Sequence, residues 1–134
     1  NVFGLLNMTK TAIRLLKKSE TPCIVNMSSI MAQESDIGQT VYAGTKAAVE
    51  SMTRTWTKEY SSQGIRVNAV APGNVNTDMF NIISDEDLRT ELSKIGLGRI
   101  ADAEEIANVV LFLASDMASY VTGEIVKVNG GLVL

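Results

Sequence analysis

Three short apolar runs punctuate this chain, with helix-length segments between them, and that alternation leaves few folds open. The runs are Cys23-Ile-Val-Asn-Met, Arg66-Val-Asn-Ala-Val-Ala and Glu124 to Asn129. The first reads as a buried strand because it is apolar nearly throughout. Ahead of it, Val2, Phe3, Leu5, Leu6, Met8, Ala12, Ile13, Leu15 and Leu16 fall on a wide helical stripe. Lys17 and Lys18 suit the C-terminus of that helix, and Thr21-Pro22 breaks it. A long helix is expected over Thr40 to Ser62, stopped by Gly64. Shorter helices are expected over Asp85 to Lys94, with Ser84 as N-cap, and over Ala103 to Ala114, capped by Asp102. Gln33 to Gly38, Asn74 to Ile83 and Gly96 to Ala101 read as loops. Strands alternating with helices of this length form parallel units, so the expected class is α/β with three parallel strands and flanking helices.

Three strands are few for such a sheet. The sequence opens at Asn1 without an initiator methionine, already inside the first helical stripe. We therefore read residues 1–134 as the C-terminal part of one longer domain, with the remaining strands ahead of Asn1.

Composition excludes several functions. The 134 residues carry a net charge of −3, and phosphate binding needs a basic face, so nucleic acid is not expected as a partner. The longest apolar run, Val109 to Ala114, falls far short of the ~20 residues of a membrane span, and no membrane association is expected. No signal peptide is visible. The single cysteine, Cys23, cannot close an internal disulfide, which fits a reducing, cytoplasmic compartment. With no histidine and one cysteine, no metal site is expected.

The chemistry is concentrated in one segment. Tyr42 and Lys46 stand four residues apart in the long helix, so the phenol and the ammonium share a face. A free tyrosine titrates near ~10 and exchanges protons poorly at neutral pH. An ammonium beside it stabilises the phenolate and tunes it for general acid–base work. Ser29 closes the first strand and can hold the oxygen that gains the proton. Pro72-Gly73 closes the second strand. Ligands of parallel α/β sheets bind at the carboxyl ends of strands, so these elements converge on one edge.

Other motifs are read as structural. Gly96-Leu-Gly98-Arg-Ile-Ala101 matches a loose dinucleotide pattern, but a helix precedes it where the fingerprint needs a strand. Cys23, Trp56 and the methionines at 52, 79 and 117 are assigned to packing. Asp85-Glu86-Asp87 complements a helix dipole.

Taken together, these segments resemble the short-chain dehydrogenase/reductase family and, within it, the beta-ketoacyl-[acyl-carrier-protein] reductases. The resemblance runs from Asn1 to the end. It is carried by Asn26-Met-Ser-Ser29, Tyr42-Ala-Gly-Thr-Lys46, Val67-Asn-Ala-Val-Ala-Pro-Gly73, Val75-Asn-Thr77-Asp-Met, Gly98-Arg99, Glu105-Ile-Ala-Asn, Phe112-Leu-Ala-Ser-Asp, Tyr120-Val-Thr-Gly and Val128-Asn-Gly-Gly131.

The resemblance implies the C-terminal part of a doubly wound Rossmann-type fold that reduces carbonyls with NAD(P)H, NADP being favoured over NAD. Tyr42 would be the acid/base. Lys46 would lower its pKa and hold the nicotinamide ribose. Ser29, rather than Ser28, would orient the carbonyl. Asn1 would support a water-mediated relay to Lys46. Pro72, Gly73, Val75 and Thr77 would line the nicotinamide, and residues 78–94 would form a lid.

The implied substrate is a beta-ketoacyl thioester, with acyl carrier protein as a partner and a homodimer or homotetramer as the assembly. The alternatives are a general alcohol/ketone dehydrogenase and an inactive fragment with an assembly role. Two departures are visible: the glycine-rich pyrophosphate loop is not in these residues, and Glu20 and Gln63 stand where carrier-binding relatives carry arginines.

Overall fold

The computed structural model describes residues 1–77 and 85–132, and for 85–87 the backbone only. Three strands, β1 (Cys23–Met27), β2 (Arg66–Pro72) and β3 (Ile125–Val128), form one sheet in the order β1-β2-β3. Both pairings are parallel, with Cys23 opposite Arg66 and Ala69 opposite Ile125. The expected α/β class holds, with strand boundaries within a residue or two of the apolar runs. The helices are α1 (Val2–Leu16), α2 (Met31–Glu34), α3 (Thr40–Tyr60), α4 (Asp85–Lys94) and α5 (Ala103–Ala114).

β2 is the centre of the molecule because it is paired on both edges and covered on both faces. Val67, Ala69, Val70 and Ala71 are fully buried. On one face Val67 packs with Ile65 and Trp56 of α3, and Leu5, Ile13 and Leu16 of α1 close over them. On the other, Val70 meets Ile106 and Leu113 of α5 and Ala118. The wide stripe of α1 is only partly used: Phe3, Met8 and Leu15 stay exposed.

Helix ends follow from local chemistry. After α3 a short 3₁₀ turn, Ser61–Gln63, leads to Gly64 at φ +77°, a left-handed position that favours glycine. At the start of α5 the Glu105 carboxylate accepts the Asp102 N–H at 2.9 Å. Arg99 grips the same carboxylate with two bonds of 2.7 Å. The guanidinium, helped by the Asp102 amide, lowers the Glu105 pKa to about 2 from the ordinary 4.5. At the other end of α5, Arg66 donates to the carbonyls of Leu113 at 2.7 Å and Ser115 at 3.2 Å.

One expected loop is partly helical. Gln33 and Glu34 belong to α2, where their N–H groups donate to the Ile30 carbonyl at 3.0 and 3.1 Å. Met-Ala-Gln-Glu are all good helix formers, and polarity alone made them read as loop. The Gly96–Ala101 segment follows helix α4, not a strand, so it does not have the strand–turn–helix context of a dinucleotide loop. Ser84, named as the cap of α4, lies outside the described residues, as do 78–83 of the expected loop. No described helix is long and apolar enough to cross a membrane.

Candidate active site

The sheet ends on one side in two segments that face each other. Ser28 continues the ladder of β1 by donating its N–H to Val70 at 2.7 Å, and Ile30 N–H does the same to Pro72 at 3.1 Å. Ser29 is thereby fixed against the end of β2. Its Oγ accepts the Met31 N–H at 3.2 Å, and among the described residues nothing accepts its own proton. That proton is available to a ligand oxygen. Opposite, β2 runs into Gly73–Thr77.

Between these segments lies a cleft of about 510 Å³ lined by Ser29, Tyr42, Pro72, Gly73, Val75 and Thr77, together with Ser28, Met31, Asp36, Gln39 and Asn74. Six of the sequence-derived residues therefore share one cavity wall. Tyr42 enters from the first turn of α3 and is 39% exposed, so its hydroxyl can reach solvent or a ligand. The Lys46 ammonium lies 5.7 Å from the centre of the Tyr42 ring, at cation–π range, and donates to the Met27 carbonyl at 2.9 Å. Lys46 is beside Tyr42 but is not part of the cleft wall.

Asn1 also stands off the wall. Its amide donates to Thr45 Oγ1 at 3.4 Å, and Thr45 donates to the Tyr42 carbonyl at 2.8 Å. This contact lands on the turn of α3 that separates Tyr42 from Lys46. The Ser28 hydroxyl is turned inward to the Lys46 carbonyl and the Glu50 carboxylate at 3.3 and 3.2 Å. The serine that can serve a ligand is thus Ser29. Of the expected lid, residues 78–84 lie outside the described residues and 85–94 form α4. Glu91 of α4 accepts from Asn74 at 3.2 Å, which ties the helix to the cleft wall.

The segment from Pro72 to Thr77 is a partition. Pro72, Val75 and Thr77 also line a second, apolar cleft of about 440 Å³, closed by Ile106, Ala107 and Val110 of α5. Gly73 is required in this wall by packing: a Cβ there would stand 2.9 Å from both Cα and Cβ of Asn129. Gly73→Ala is expected to force the wall away from β3 and to lower stability by about 1–3 kcal/mol. Urea unfolding of the variant against the native protein checks this, and an unchanged midpoint would contradict the packing.

Sequence reasoning missed Glu50, Asp36 and Gln39. A signal for Glu50 was present: it follows Lys46 by four residues and so lies on the same helix face as Tyr42 and Lys46.

Known proteins resemble this chain along nearly its whole length. A short-chain dehydrogenase family model described as enoyl-(acyl carrier protein) reductase matches residues 1–133. A 3-oxoacyl-[acyl-carrier-protein] reductase of Thermotoga maritima is 46% identical over 134 residues, all of this chain and 54% of that protein. Proteins of the same name from Aquifex aeolicus and Pseudomonas aeruginosa are 42% and 44% identical over 132 residues, which cover 98% of this chain and 53% of each relative. The chain spans about half the length of the curated relatives it matches. A parallel sheet with Ser29 and Tyr42 on one cleft at its carboxyl edge, and a family match over nearly every residue, lead to one assignment: the chain belongs to the short-chain dehydrogenase/reductase family.

Proposed function

We propose that this chain is the C-terminal catalytic part of an NAD(P)H-dependent reductase that acts on the ketone of a beta-ketoacyl thioester. The observation that carries the reading is the shared cleft: a serine with an available proton and a tyrosine flanked by an ammonium share it with the Pro72–Thr77 wall. The wall suits a flat ring. It is close-packed behind at Gly73 and apolar at Val75. Pro72, Gly73, Val75 and Thr77 would hold the nicotinamide, and Lys46 its ribose. When bound, that group supplies the hydride that reduces the carbonyl carbon.

The protein's own part is proton transfer and orientation. Ser29 donates a hydrogen bond to the carbonyl oxygen and fixes its direction. Tyr42 gives its phenolic proton to the same oxygen. Lys46, 5.7 Å from the ring centre, offers a positive charge to the phenolate that remains. Asn1 supports the turn of α3 between them and would anchor a water-mediated relay that restores the proton to Tyr42.

The match to 3-oxoacyl-[acyl-carrier-protein] reductases supports the thioester substrate; NADPH rather than NADH and a cytoplasmic setting belong to the same proposal. Exposed Phe3, Met8 and Leu15 on α1 support a homodimer or homotetramer built on helix faces. A second reading, a general ketone dehydrogenase, is favoured by one feature: Glu20 and Gln63 are exposed and offer no basic surface to an acidic carrier. Oxidation of NADPH by the full-length protein separates the two. Turnover of acetoacetyl carrier protein well above that of simple ketones supports the first reading. Equal turnover of simple ketones supports the second, and no turnover of any carbonyl refutes both.

A further inference from the structure

A carboxylate removed from water is destabilising unless hydrogen bonds and charge meet it. Glu50 is 3% exposed and is the only buried acidic residue among the described ones. It sits on α3, one turn after Lys46 and two after Tyr42, and does not line the cleft. Its partners come from both sides of Ser29. Ser28 donates its hydroxyl to Oε1 at 3.2 Å. Gln33 donates its amide to Oε1 at 3.0 Å and to Oε2 at 3.2 Å. Arg54, one turn further along, approaches Oε2 at 3.7 Å from the surface and offsets the charge. An ion pair with Arg54 alone would require neither Ser28 nor Gln33.

We propose that Glu50 is a positioning residue that clamps the turn between β1 and α2 onto α3, and so sets the Ser29 hydroxyl against Tyr42. The inference rests on the roles of Ser29 and Tyr42 proposed above. One carboxylate binds the residue before Ser29 and the fourth residue after it, and it does so from the helix that carries Tyr42 and Lys46. The ligand-facing hydroxyl is thus held from both ends of its turn, and the pieces of the site move together or not at all.

The test uses the full-length protein. Glu50→Gln keeps the volume and one acceptor oxygen but removes the charge and turns the second acceptor into a donor facing Gln33 and Arg54, so the bonds from Ser28 and Gln33 cannot all be kept. We expect kcat to fall about tenfold or more, with the cofactor KM within about twofold of the native value. In a Ser29→Ala background the same substitution should cost no further turnover, because the group it positions is gone. Native turnover in Glu50→Gln, or an equal loss in both backgrounds, overturns the proposal.

If Glu50→Gln does not fold, Gln33→Met decides, since Gln33 is exposed and its removal spares the core; native turnover there is the refuting result. Amide exchange at Met31–Glu34 reports on the clamp without any reaction. Faster exchange in the variant supports it, and unchanged exchange overturns it. A native protein that reduces no carbonyl, or a Tyr42→Phe protein that still does, defeats the reading of the site and leaves the clamp to be judged by exchange.

Discussion

Tyr42→Phe in the full-length protein is expected to lower kcat by roughly 10²- to 10⁴-fold, the range removed with a general acid, while cofactor binding survives. The substitution deletes one oxygen and keeps the ring. Tyr42 is 39% exposed and no hydrogen bond from its hydroxyl supports the fold among the described residues, so stability should hold. What is lost is the proton that the reduced oxygen must receive. Water in the cleft can supply one, but without the fixed direction that the first turn of α3 imposes.

Lys46→Met should behave differently. The ammonium is assigned to the phenolate and to the cofactor ribose, and it also donates to Met27 at 2.9 Å. Its loss should therefore impair turnover and cofactor affinity together. Steady-state rates paired with calorimetric titration of NADPH separate the two patterns. Turnover near the native level in Tyr42→Phe would end the proposed mechanism.

The sheet was legible because its signals are local. A strand paired on both edges and covered on both faces must be apolar nearly throughout, and Val67, Ala69, Val70 and Ala71 announce this directly. The end of α3 was legible for a similar reason, since Gly64 takes a backbone angle that other residues avoid. Tyr42 and Lys46 were legible as a pair because helix spacing puts them together before any tertiary contact forms.

What stayed hidden depends on residues distant in sequence. Glu50 reads as an ordinary polar residue on a helix, and only the return of Ser28 and Gln33 against α3 buries it. The need for glycine at position 73 comes from Asn129, which is brought alongside by the pairing of β2 with β3. Gln33 and Glu34 were misread because polarity was taken as a loop signal, when the anchor that makes helix worthwhile there lies seventeen residues away.

Asn68 shows how the hidden part of the fold can be tested. It sits in the middle of β2, fully buried, amid apolar neighbours. Its amide donates to the Val121 carbonyl at 2.8 Å, and its Oδ1 accepts the Glu124 N–H at 3.1 Å. Two backbone groups ahead of β3 are thus satisfied by one side chain. Asn68→Asp changes almost no volume. The carboxylate still accepts from Glu124, but it faces Val121 with an acceptor against an acceptor and carries an unpaired charge into the core. We expect a loss of about 3–5 kcal/mol at neutral pH, the scale of an uncompensated buried charge and a large share of the ~5–15 kcal/mol that holds a domain together.

The sign with pH follows. Burial raises the folded pKa of this carboxyl above the unfolded value of about 3.9. Below that value both states are protonated, the acid O–H can donate to Val121, and the penalty is smallest. It grows as pH rises towards the raised folded pKa and is constant above it. Urea unfolding of the variant and the native protein at neutral and mildly acidic pH measures the difference, and equal midpoints at neutral pH would refute the buried arrangement. The loss should also reach the site. Residues 121–124 set the start of β3, the Val128 carbonyl at its end accepts the Gly73 N–H at 3.0 Å, and Gly73 belongs to the cleft wall opposite Tyr42. A charge placed in the core at Asn68 is therefore expected to loosen the wall that would carry the nicotinamide before the sheet itself gives way, so cofactor affinity should weaken at urea concentrations where the variant is still folded.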